Sequence, residues 1–125
     1  MSYAAFVLDN NARRALLDRV PPKYPDVLAH HITEKFGIPK PSDPVRSCAV
    51  HATVIGHVDD GAGVQAVVVE VNGSSTRKDG STYHITVSID RSAGRKPVDS
   101  NRVIKEKGWT KVQPFTILAY YDILD

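Results

Sequence analysis

The chain has 125 residues, 42% of them hydrophobic and only 7% aromatic, with a formal net charge of +2. That length supports a single domain spanning 1–125, the near-balanced charge gives no strong whole-molecule field for nucleic acid, and no stretch approaches the ~20 apolar residues of a membrane span. One cysteine, Cys48, cannot form an intramolecular disulfide, and with no basic, apolar leader in "MSYAAFVLDNN" the expected setting is a reducing cytoplasm.

The apolar run "YAAFVLD" (Tyr3 to Asp9) predicts a buried strand. Asp9 stands at the N-cap of a helix through "NNARRALLDRV", whose Ala12, Ala15, Leu16 and Val20 recur at helical spacing, and Pro21 and Pro22 stop it. "KYPDVLA" is expected as a loop into the strand "HHITEKF", followed at Gly37 by the proline-rich linker "IPKPSDP". "SCAVHATVIGHV" and "GVQAVVVEV" form a hairpin about the turn "DDGAG". The polar loop "NGSSTRKDGS" leads into the strand "TYHITVSID". A short helix capped by Asp99 or Ser100 then ends at Gly108, and a closing strand "QPFTILAYYDIL" starts beside Pro114. The order is β-α-β-β-β-β-α-β, an α+β chain.

Two of these strands share the tripeptide His-Ile-Thr. Side chains alternate along a strand, so i and i+2 share a face. In the second copy Thr82, His84, Thr86, Ser88 and Asp90 fall on one face, and Tyr83, Ile85, Val87 and Ile89 on the other. In the first copy His31, Thr33 and Lys35 share a face opposite Ile32 and Phe36, with Glu34 misplaced on the apolar side. A third match, His51 to Thr53, has the same spacing, and periodicity does not exclude it.

With its ordered pair "HHIT" and "HITVSI", the second followed by "GRKPVDSNRVI", the chain resembles the two-histidine (2H) phosphoesterase superfamily. The resemblance implies two pseudo-symmetric lobes of antiparallel sheet with one helix each and an active-site cleft between them. It implies catalytic His31, Thr33, His84 and Thr86, and leaves His51 structural. The expected activity is metal-independent hydrolysis of a cyclic phosphodiester: a 2′,3′-cyclic phosphate on an RNA end or nucleotide, or a cyclic nucleotide signal. One imidazole would act as base and one as acid, a role suited to a side chain with an unperturbed pKa of about 6.5. The threonine hydroxyls would donate to the non-bridging oxygens. Lys35 and Ser88, on the motif faces, and Tyr24, before the first motif, are candidate substrate contacts.

Seven basic residues between Arg91 and Lys111 form either a solvated face or a phosphate-attracting rim. No cofactor is expected and no compact metal-ligand cluster is evident, although His31, His51, His57 or His84 with Asp59, Asp60 or Asp90 would supply metal-ligating types. The alternative function is a non-catalytic module that binds an RNA end or cyclic nucleotide. Motif symmetry leaves open which histidine is the acid, and oligomeric state is equally open.

Overall fold

The computed structural model describes residues 2–43 and 47–125; Pro44, the last proline of the expected linker, lies outside the described residues. The elements are β1 (Ser2–Leu8), α1 (Asn10–Arg19), β2 (Asp26–Val27), β3 (His31–Ile38), β4 (Ala49–Asp59), β5 (Val64–Val71), β6 (His84–Ile89), a 3-10 turn (Arg91–Ala93), α2 (Asp99–Lys107) and β7 (Thr110–Leu124). The class is mixed α+β with antiparallel strands, and the expected order gains one element, the two-residue β2 inside "KYPDVLA".

Strand neighbours run β2-β6-β3-β1-β7-β4-β5, and β5 pairs back onto β6. Six strands therefore close into a barrel. Each of the six sends side chains inward: Phe6, Ile32, Val54, Val67, Ile85 and Ile117 belong to one buried cluster, to which α1 adds Ala12 and Leu16. The alternate residues of β5, Val64, Ala66 and Val68, face outward and are covered by Val103 and Ile104 of α2. β5 is thus apolar on both faces, as its near-continuous valine run requires.

The sheet is continuous around the barrel. The two His-Ile-Thr strands, expected in separate lobes, are direct neighbours paired at Ile32 and Ile85.

Local signals account for most boundaries. The Asp9 carboxylate accepts from the Ala12 N–H at 2.7 Å, as an N-cap should. Gly108 ends α2 at φ 70°, its N–H bonding the Ile104 carbonyl. The other end of α2 differs from expectation, because Val98 occupies the N-cap without a side-chain bond and Asp99 is the first helical residue. β7 begins at Thr110, ahead of Pro114, because three residues between Lys111 and Phe115 oppose the single Ile55 of β4. That bulge takes Pro114 out of the ladder, where a missing N–H costs nothing.

Trp109 crosses β4 at Gly56, where an added Cβ would stand 2.1 Å from ring atom Cε3. Gly56→Ala is expected to displace the indole and cost about 1–3 kcal/mol by overpacking, seen as a lower Tm and a red-shifted Trp109 emission in thermal and fluorescence measurements.

Candidate functional site

The Ile32 and Ile85 pair is the hinge of the site. Both side chains are fully buried in the barrel, and each is preceded by the motif histidine and followed by the motif threonine. In an antiparallel pair the two strands are related by a local two-fold. His31, Thr33, His84 and Thr86 therefore emerge together on the outer face. All four line one cavity of about 500 Å3, walled on the far side by Lys96, Pro97, Val98 and Asn101 ahead of and within α2.

Three bulges shape this seam. Between the pairs Val27 with Ser88 and Ile32 with Ile85, four residues (Leu28 to His31) face two (Thr86 and Val87). The excess is taken up at Ala29, which is buried at φ 50°, a strained conformation for a residue with a Cβ. Its N–H bonds the Thr86 carbonyl at 2.9 Å. Leu28 and His30, on either side of it, both reach the cavity.

On β3, Ala4 and Ala5 of β1 pair with Lys35 and Thr33, so Glu34 is an extra residue. This explains its awkward place in the alternation. It also inverts the faces beyond it: Phe36 turns to the cavity mouth, 51% exposed, and Lys35 does not line the cavity.

On β6, Gln65 and Ala66 of β5 pair with Ser88 and Thr86, leaving Val87 as the extra residue. Ile89 consequently joins the α2 side. Ser88 is fully buried against Gln65, at 2.6 Å, rather than on the face of His84 and Thr86.

Lys35 and Ser88 are therefore corrected as cavity contacts, each by one inserted residue. Tyr24 is corrected as well. Its N–H donates to Ser88 Oγ and its hydroxyl to Asp59, in a network holding Gln65, Pro21 and His57. That network satisfies buried polar groups away from the cavity. His51 is exposed on β4 and does not line the cavity.

Each histidine has its own Nδ1 partner. His84 Nδ1 lies 2.9 Å from the Thr82 carbonyl; a carbonyl only accepts, so Nδ1 carries the proton and Nε2 is left for a ligand. His31 Nδ1 lies 2.9 Å from Nδ1 of His30, and the ring packs 5.5 Å from Tyr3. Burial, then the neighbouring His30 and His84, lower His31 to about 4. Burial also lowers His84; the Thr82 carbonyl opposes the shift and Arg77 adds to it.

The Thr86 hydroxyl meets Ser100 Oγ at 2.8 Å and the Pro97 carbonyl at 3.3 Å, docking α2 against β6. Of the basic segment, Lys96 reaches the cavity while Arg95 is paired with Asp60 at 2.6 Å.

Sequence reasoning did not single out Tyr3, His30, Phe36 or Asn101. The doubled histidine was a visible signal for His30, and the basic run for Lys96. Phe36 had none, because its exposure depends on the Glu34 bulge.

Comparison with protein-family models, curated proteins and solved structures finds no match to this chain. Among the described residues, no three His, Cys, Asp or Glu side chains converge as a metal-binding group, and no helix is long and apolar enough to cross a membrane.

The lowered histidines fix a pH dependence of stability. As pH falls through 6.5 the unfolded chain protonates its histidines while folded His31, His84 and His57 resist. The unfolded state then binds more protons, so stability is fully present above pH 6.5 and declines toward pH 4. Tm measured from pH 7.5 to 4.5 should fall along this limb, and a His31→Asn, His84→Asn double variant should flatten it.

Proposed function

We propose that the protein is a metal-independent phosphodiesterase that hydrolyses a cyclic phosphodiester by two-histidine acid/base catalysis. The substrate would be a 2′,3′-cyclic phosphate of a nucleotide or RNA end, or a cyclic nucleotide signal. The observation that carries this proposal is the convergence of His31, Thr33, His84 and Thr86 on one cavity. Two imidazoles flanking one phosphate supply the two proton transfers that an in-line displacement needs on opposite sides of phosphorus. The pseudo-symmetry implied by the 2H resemblance is supported locally, by the two-fold of the Ile32 and Ile85 pair, rather than by two separate sheets.

The Nδ1 partners favour an assignment of roles. His31, beside another imidazole and lowered to about 4, is neutral near pH 7 and suits the base that takes a proton from water. His84 gives its Nδ1–H to a carbonyl, which stabilises the imidazolium and suits the acid that protonates the leaving oxygen. A bound phosphate anion favours the protonated form of His84 further. With Ser100 donating to Thr86, the Thr86 hydroxyl keeps its own proton for a non-bridging oxygen, exchanging the 3.3 Å contact with Pro97 for the substrate. Lys96 adds a positive charge at the wall. The rings of Tyr3 and Phe36, 5.8 Å apart, and exposed Val98 give the mouth an apolar lip suited to a nucleobase. Cys48 is an exposed free thiol, which suits a reducing cytoplasm.

His31→Ala and His84→Ala should each lower kcat/KM for a 2′,3′-cyclic nucleotide by about 10²–10⁴-fold, with chelator leaving the wild-type rate unchanged. Because both rings titrate below 6.5 in the free protein, the kcat/KM profile should be bell-shaped with its maximum on the acid side of that value. It rises as His31 loses its proton and falls as His84 loses its own. Undiminished turnover in either variant would refute the assignment.

A further inference from the structure

Arg77 has no part in the acid/base scheme, yet it touches the supports of both motif strands. It lies in the loop between β5 and β6, where Thr76 and Thr82 form a bridge and the Arg77 N–H bonds the Ser81 carbonyl at 2.7 Å. Its side chain is only 4% exposed and forks onto Asp79, with Nε 3.1 Å and Nη2 2.9 Å from the carboxylate. Nη1 reaches the Thr33 carbonyl of β3 at 3.4 Å, and the guanidinium lies 5.4 Å over the Phe36 ring. At the end of the same turn, the Thr82 carbonyl accepts from His84 Nδ1. One buried cation thus links the backbone of the first motif to the turn that orients the second histidine.

We infer that Arg77, held by Asp79, is a positioning residue for the His84 imidazole, tying the turn that aims the ring to β3 and fixing the electrostatic setting in which the ring exchanges its proton. The consequence for catalysis rests on the two-histidine proposal; the effect on the ring does not. Among the described residues, the charged and titratable groups around His84 are few. His31 of β3 and His30 just ahead of it line its cavity, as does Lys96 from the segment ahead of α2, and Arg77 and Asp79 belong to the loop. Glu34 of β3 acts on neighbouring Tyr83, and β5 meets the motif with Val67 and Val68. Arg77 and Ser81 hold the Asp79 carboxyl far below the usual carboxylate range. The ion pair therefore stays fully charged wherever His84 titrates.

NMR titration of the histidine ring resonances reads His84 directly and needs no turnover. Arg77→Gln should raise the His84 midpoint by about half a pH unit or more, because a like charge is removed. Asp79→Asn should lower it, because the guanidinium is left uncompensated. Arg77→Lys, which keeps the charge and loses the fork, should stay closer to wild type than Arg77→Gln. If the pair merely braced the loop, either substitution would admit water to the ring and both midpoints would rise. A common rise, or no shift in either, overturns the inference. Should Arg77→Gln fail to fold, Asp79→Asn decides alone at its 55% exposed site: a fall supports the inference and a rise or no change refutes it. Opposite shifts in a protein that turns over no cyclic phosphate would refute the proposed reaction and leave the positioning role standing.

Discussion

The site depends on one contact, the pairing of Ile32 with Ile85 that closes the barrel between β3 and β6. Two buried isoleucines anchor this seam from inside, and each removes ~1.5–3 kcal/mol worth of apolar surface from water. Their strand neighbours have no choice of direction, since alternation sends what precedes and follows a buried residue to the opposite face. The hydrophobic anchor and the polar quartet are therefore two sides of the same constraint. A barrel that did not close here would separate the histidines.

Much of the architecture was legible because it rests on local chemistry. The Asp9 cap, the β4 to β5 turn and the Gly108 stop are each decided within a few residues, and the structure has them where those residues stand. The motif residues were legible for the same reason, since His-x-Thr on a strand needs only alternation to share a face. What escaped was anything set by pairing between distant strands. Closure of the sheet joins β5 to β6 and β3 to β6, and no local pattern states which strands become neighbours. The bulges at Glu34 and Val87 are of this kind: each is an extra residue in the register with a strand distant in sequence, β1 for Glu34 and β5 for Val87, and each inverts the faces after it. Alternation correctly placed Thr33 and Thr86, then failed two residues later at Lys35 and Ser88. Glu34 alone betrayed a bulge beforehand, as a charge at an apolar position.

The cavity also sets two physical effects against each other. Burial makes both imidazoles poor proton carriers, while the work proposed for them needs one to hold a proton. The balance is struck by different partners on the two rings: a carbonyl acceptor behind His84 and a second imidazole behind His31. Near-symmetric motifs thereby acquire unlike Nδ1 partners, a difference that sequence symmetry conceals. Strain at Ala29 and the doubled bulge around it lie at the same seam, where backbone irregularity commonly accompanies function.

The most direct test is a crystal structure of the protein with a nucleoside 2′- or 3′-monophosphate, the product of the proposed reaction. The phosphate is expected between the rings, with oxygens within hydrogen-bond distance of Nε2 of both His31 and His84 and of the Thr33 and Thr86 hydroxyls. A phosphate bound elsewhere, or contacting one histidine while the other stays remote, would contradict it.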